Sequence, residues 1–393
     1  MLKKAEAIKD EIIRLRRDIH AHPELGFEEV RTAGLVADTL AEIGADNIKT
    51  QVGRTGVTAE IGTGDGPVIG IRADMDALPI LEDTGLEFGS TNPGVMHACG
   101  HDAHTAILLG VAHLLRQDFV ENGESWNGKV RFLFQPSEEQ FDEEGISGAT
   151  AMIQDDAMAG VDHVIALHVI SNLESGLCQF HDGYGHAAVD SFEAWVRGDG
   201  GHGAYPHTGS DPLYITSAIL PNLYGIPSRY IDPMDPVVVS LGQISAGAAP
   251  NVIPAEVYLQ GTIRSMTDKV REQLWDEIDR AFQLADVLGG SYELKIHKGY
   301  PAGFNDAGVN NWMRQVVTDL AGADKILNHR NGMGAEDFSY MSKLVPGAMF
   351  MLGSSNGKGG HHTPLFDIDE DSFPMGAAVL AETARRYVTG ELK

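Results

Sequence analysis

The run SFEAWVR at 191–197 reads as a strand, and the order of the elements after it decides the fold. A helical stretch, PLYITSAILPNLYG at 212–225, leads to two further strand-like runs, VVVSLGQI at 237–244 and EVYLQGTIR at 256–264. A helix is expected from Asp268 to about Val287, with Val270, Leu274, Ile278 and Phe282 at helical spacing, and the alternating run YELKIH lies behind it. The order is βαββαβ, that of a ferredoxin-like α+β unit. The chain on either side has a different grammar. Short apolar runs (VTAEI at 57–61, VIGIRAD at 68–74, KVRFLFQ at 129–135, HVIALHV at 163–169 and AMFMLG at 348–353) alternate with helical segments such as Thr105 to Arg116. That alternation predicts an α/β layer architecture. The expectation is a larger α/β domain, 1–186 and 299–393, interrupted by a smaller ferredoxin-like α+β domain at 187–298.

The chain has 393 residues, 29 Lys plus Arg against 56 Asp plus Glu, and a net charge of −27. So negative a field repels phosphate backbones and anionic lipid, which argues against nucleic acid or a membrane surface as the main partner. From Asp118 to Asp162 eleven acids face two bases; most of these read as solvated surface. Two cysteines, Cys99 and Cys178, cannot build a disulfide framework, and a reducing compartment is the simpler reading. The first residues place Ile8, Ile12, Leu15 and Ile19 at helical spacing among charges of both signs, unlike a signal peptide. No apolar window is long enough to span a bilayer, so a soluble, cytoplasmic protein is expected.

Metal-type residues recur where strands end, which in an open α/β sheet is where functional groups gather. VIGIRAD ends in Asp74 and is followed by Asp76. KVRFLFQ runs into Pro136, Ser137, Glu138 and Glu139; VIALHV holds His168; AMFMLG is followed by His361 and His362. Between the first two lies MHACGHDAH, with His97, Cys99, His101, Asp102 and His104 ahead of a helix. Thiolate, imidazole and carboxylate are the ligands that divalent cations take. Cys99 as a nucleophile paired with a histidine is the rival reading, but no cysteine-protease signature surrounds it. Cys178 reads as a packing residue. The single-zinc signature HExxH is absent. Gly198 to Gly203 matches GxGxxG, but the βαβ context and the acid about twenty residues on are missing, so dinucleotide binding is disfavoured.

The ordered set HACGHDAH, FLFQPSEE, ALHV, GDGGHGAYPH, APNVIPAEVYLQGTIR, GAEDF and HHTPLFDIDE resembles the metal-dependent amidohydrolases that include hippurate hydrolase, N-acyl-amino-acid deacylases and auxin-conjugate hydrolases. These are a branch of the aminoacylase and carboxypeptidase G-like metallopeptidases. The likeness extends from RRDIHAHPELGFEE at 16–29 to the last helix. It implies two divalent cations (Zn, Mn, Co or Ni) held by Cys99, His101, Glu139, His168 and His362, with Glu138 as general acid/base. It implies that His202 meets the carbonyl oxygen, that Asn251 polarises the substrate and that Arg264 binds the amino-acid carboxylate. A small-molecule N-acyl amino acid is the implied substrate, and a homodimer through the inserted domain the implied assembly. A dipeptidase or carboxypeptidase, or a non-catalytic metal-binding homologue, are the alternative readings.

Four local features stand out. Gln140 to Glu144 is an added acidic stretch beside the glutamate pair. His361 directly precedes His362, and the spacing to Thr363-Pro364 favours His362 as ligand. His163 is a poorer candidate than His168, being placed before its strand, and His186 has no evident role.

Overall fold

The runs VTAEI and VIGIRAD belong to one continuous strand, Gly56–Asp74, buried at both ends and open to solvent in the middle. Its pairing explains the pattern. Val57 to Ile61 run antiparallel to Phe134 to Val130, whereas Val68 to Asp74 run parallel to Lys129 to Gln135. The strand therefore turns back on itself and holds Asn127–Gln135 between its two halves. Glycine is needed at the turn: Gly62 has φ 122°, and a Cβ there would lie 2.2 Å from the Gly128 carbonyl oxygen.

The computed structural model describes residues 1–392, which form two units. The larger comprises 1–183, 304–330 and the chain from 340 on. Its seven-stranded sheet continues from Gly56–Asp74 to His163–Glu174 and then to Gly347–Ser355, each parallel to its neighbour. Ile69, Ile71, Phe132, Phe134, Ile165 and Phe350 are wholly buried, as expected of parallel strands covered on both faces. The covering includes the helix His101–Glu121, buried for most of its length, and the helix Phe373–Val388. Asp74 pairs with Gln135, Arg72 with Ala166 and Met351 with His168, so these residues share one level of the sheet. Gly56–Asp74 and Asn127–Gln135 end there, whereas His163–Glu174 and Gly347–Ser355 run on, which places His168 within its strand and not at its end. The residues after those ends are thereby gathered in space, although they are far apart in the chain.

The smaller unit comprises 184–303 and 331–339. Its sheet has the antiparallel order Ser291–Lys298, Ala188–Arg197, Glu256–Ser265, Val237–Ala246. With helices Pro212–Arg229 and Asp268–Phe282 this is the ferredoxin-like α+β arrangement. Strand alternation puts Phe192, Ala194 and Val196 opposite Gly261, Leu259 and Val257 on the inner face. A Cβ at Gly261 would lie 2.5 Å from the Phe192 ring, so this glycine makes room for the phenyl group. The second helix ends at Phe282, with a separate turn at Leu284–Val287, short of the continuous helix that the apolar spacing predicts.

A buried carboxylate ties this unit together. Asp190 accepts from Arg271 Nε at 2.9 Å, Trp275 Nε1 at 2.8 Å and the Gly299 amide at 3.0 Å. Asp190→Ala would leave the guanidinium buried without its partner, which should cost about 3–5 kcal/mol. The expected result is a lower thermal midpoint in scanning calorimetry; an unchanged midpoint would show that the carboxylate is dispensable.

Candidate metal centre

Cys99 and His101 stand at the start of the helix His101–Glu121, separated by Gly100 with φ 92°. A Cβ at Gly100 would lie 2.4 Å from the Val169 side chain, so only glycine lets this loop approach the strand that carries His168. Cys99 Sγ is 3.5 Å from His168 Nε2. Glu139 Oε1 is 3.2 Å from His362 Nε2 and 4.0 Å from His101 Nε2. Ligand-type atoms of Cys99, His101 and His168 lie within 4.8 Å of one another, and so do those of Cys99, Glu139 and His362. The two triads share the sulfur. A third, overlapping group is His101, Glu138 and Glu139.

Hydrogen bonds determine which imidazole nitrogens are available. His101 Nδ1 lies 2.9 Å from the Asp76 carbonyl oxygen and 3.0 Å from its carboxylate. His168 Nδ1 lies 2.7 Å from the Val169 carbonyl oxygen. A carbonyl oxygen can only accept, so both Nδ1 atoms carry a proton, and Nε2 is the nitrogen left to meet a cation once it carries none. His104 is arranged the other way: its Nε2 accepts from the Val169 amide at 2.9 Å while Nδ1 meets Asp74 at 2.6 Å, so it is occupied. His361 Nε2 likewise accepts from the Ser171 amide at 3.1 Å. His362 has φ 58°, a left-handed conformation that turns it away from its neighbour and toward Glu139. Adjacent histidines thus have separate tasks.

The chemistry of this donor set fits divalent cations. One soft sulfur, three imidazole nitrogens and a carboxylate converge, and His101 Nε2 is buried without a hydrogen-bond partner among the described residues. The surroundings favour positive charge. His362 is raised to about 10 by its contacts with the Cys99 sulfur and the Glu139 carboxylate. Burial acts to depress His101, yet the nearby Asp74 carboxylate leads the effects that raise it well above the usual imidazole range. Burial pushes the Cys99 thiol up, and Glu139 adds to it.

Acids that sequence reading places among the strand-end metal residues serve as supports. Asp76 aligns His101 and also accepts from the Glu139 amide at 2.9 Å, so one carboxylate orients two members of the donor set. Asp74 is held by Arg72 at 2.7 Å, and Arg72 in turn donates to Gln135 at 2.8 Å. Sequence reading gives no role to Arg16 and His20, which meet Asp102 at 2.7 Å each beneath the start of the helix. A buried arginine facing an acid across more than eighty residues leaves no local periodicity to read.

His202, Asn251 and Arg264 belong to the smaller unit. His202 is exposed and pairs with Val252, and the Gly203 amide donates to the Asn251 carbonyl at 2.8 Å, so the first two are brought together there. Arg264 lies on the sheet, donating to Thr262 and to the Ile263 carbonyl. The glycine-rich loop has a structural explanation: Asp199 accepts from the amide and hydroxyl of Ser210, and Asp211 caps the helix Pro212–Arg229. His163 is spent on the Tyr387 hydroxyl at 2.8 Å, and Cys178 is wholly buried, its thiol pushed up to about 12 by burial. No helix among the described residues is long and apolar enough to cross a membrane.

Known proteins resemble this chain over most of its length. A model of peptidase family M20/M25/M40 matches residues 70–386. The chain is 39% identical to thermostable carboxypeptidase 1 of Saccharolobus solfataricus over 97% of its own length and 96% of that protein. It is 37% identical to an N-acetyl-L-cysteine deacetylase of Bacillus subtilis over 97% of its length and 89% of the relative. Among solved structures, a dinuclear metal binding peptidase of the M20 family from Bacillus subtilis superposes with a TM-score of 0.84 at 32% identity, covering 99% of this chain and 100% of that one.

Proposed function

Because the chain belongs to peptidase family M20/M25/M40 and is a metal-dependent hydrolase of amides, we propose that it cleaves the amide bond of N-acyl amino acids, releasing a carboxylic acid and a free amino acid. The observation that carries the site assignment is the pair of donor triads sharing Cys99, with Glu138 beside them and outside both. Two divalent cations held by Cys99, His101, Glu139, His168 and His362 would supply an acidified water and polarise the acyl carbonyl. The rest falls to the protein. Glu138, buried and next to the ligand Glu139, takes the proton from the attacking water and gives it to the departing amino nitrogen. Asp76 keeps His101 in the tautomer that presents Nε2. His202 and Asn251 serve the acyl carbonyl, and Arg264 the substrate carboxylate; these three roles rest on the resemblance. The smaller unit is assigned to homodimer formation, which sedimentation of the active protein would test: a fully active monomer would refute it.

The 39% identity to a carboxypeptidase supports a second reading, in which a peptide replaces the acylated amino acid. Protein loaded separately with Zn, Mn, Co or Ni should be assayed on N-acetyl and N-benzoyl amino acids beside dipeptides of the same terminal residue. The expected result is a kcat/KM at least about tenfold higher for the acylated amino acids, a difference of about 1.4 kcal/mol in transition-state binding. The opposite order would make the enzyme a peptidase.

A further inference from the structure

The segment HPELGFEE at 22–29 precedes residues 70–386, which the family model matches, and none of the roles assigned above falls on it. It is nevertheless anchored along its length. The Glu24 carboxylate accepts the amides of Arg31 and Thr32, both at 2.8 Å, at the start of the helix Val30–Ile43. The Ala77 amide donates to the Glu24 carbonyl at 2.8 Å, which joins the segment to the residue after Asp76.

At its far end Glu29 is wholly buried. One carboxylate oxygen accepts the Ser137 amide at 2.8 Å and the other accepts the Thr55 hydroxyl at 2.5 Å. Ser137 directly precedes Glu138 and Glu139, and its φ is 42°, in the left-handed region that a serine seldom adopts. Its carbonyl accepts the Gly148 amide at 2.9 Å, and its hydroxyl donates to the Gln140 carbonyl at 3.0 Å. Two glycines permit the close packing around it: a Cβ at Gly26 would lie 2.4 Å from the Ser137 hydroxyl oxygen, and one at Gly148 would lie 1.5 Å from the Pro136 carbonyl oxygen.

We propose that Glu29 is a positioning residue for the reaction: by accepting the Ser137 amide it holds the left-handed turn that sets Glu138 and Glu139 in place. An unfavourable backbone conformation persists only where its surroundings over-determine it, and such points gather at functional sites. A buried amide deprived of its acceptor would drive the turn toward an ordinary conformation. That would carry the two glutamates out of register with the other donors, and misplacement on the ångström scale is enough to lower a rate severely. The inference rests on the proposed role of Glu138.

The test compares Glu29→Gln with Glu29→Asp in the full chain loaded with Mn²⁺. Gln matches the length of glutamate and keeps an oxygen for the Ser137 amide; Asp keeps the charge but is shorter by one methylene. Glu29→Asp should lower kcat by about 10–100-fold with little change in KM, the range seen when a residue behind a metal ligand is lost. Glu29→Gln should keep most of the wild-type kcat. Independently of turnover, hydrogen–deuterium exchange in the peptide containing Ser137 to Glu139 should rise in Glu29→Asp and stay unchanged in peptides from the inserted domain. Wild-type kcat and exchange in Glu29→Asp would overturn the proposal, and so would an equal fall in Glu29→Gln. If Glu29→Asp does not fold, Thr55→Val loosens the carboxylate without touching Ser137: faster exchange over 137–139 supports the clamp and wild-type exchange refutes it. Should the wild-type protein hydrolyse no acylated amino acid, the functional reading fails alone, because the exchange measurement still decides the clamp.

Discussion

Glu138→Gln is expected to bind divalent cation as the wild-type protein does and to lose turnover by about 10²–10⁴-fold, the usual contribution of a positioned general acid/base. Glu138 stands with His101 and Glu139 in one cluster but belongs to neither of the two triads that share Cys99. Glutamine keeps the shape and removes the capacity to take a proton. Metal content measured by atomic emission, together with kcat on an N-acyl amino acid, separates the two functions. A variant that retains turnover would remove Glu138 from the mechanism, and one that loses its cations would make it a ligand.

Cys99→Ser should act in the opposite sense, with cation affinity as the primary loss. The sulfur belongs to both triads, so its replacement weakens both positions together. Losing a residue that merely supports a ligand costs about 10–100-fold in metal affinity, and losing a shared ligand should cost more. Cation titration against a competing chelator measures this directly. Thermal unfolding supplies a second readout, since a cation at about 100 times its Kd stabilises the fold by about 2.7 kcal/mol in the wild-type protein. That increment should shrink in the variant, and an undiminished one would exclude Cys99 as a ligand. The pH dependence has a definite sign. His362, raised to about 10, must release its proton before it binds metal, so affinity should weaken as pH falls.

Much of the architecture was legible because it is periodic. The inward-facing Phe192, Ala194 and Val196 and the stripe Val270, Leu274, Ile278 and Phe282 repeat at strand and helix spacing, and they form the core of the inserted domain. Its six main elements appear in the order that the sequence predicts. The strand-end residues were legible in part: Asp74 and Gln135 do end neighbouring parallel strands, whereas His168 lies within a strand that runs on to Glu174. Other features left no such trace. The return of Gly56–Asp74 around Asn127–Gln135 depends on long-range pairing, and two apolar runs separated by glycines read the same with or without it.

By itself, the sequence determined the α/β domain with its α+β insertion and the kinds of ligand atom available: one sulfur, several imidazoles and a glutamate pair. Tertiary structure alone decided how those atoms are used. His101 and His168 present Nε2 because carbonyl oxygens hold their Nδ1 protons, whereas His104 and His361, equally suitable by type, are occupied by backbone amides. Likewise Glu29, distant in sequence from Ser137, holds the turn before Glu138. The physical reason is the same in each case. A side chain's availability depends on which donor or acceptor already meets it, and that partner comes from a part of the chain that only folding brings near.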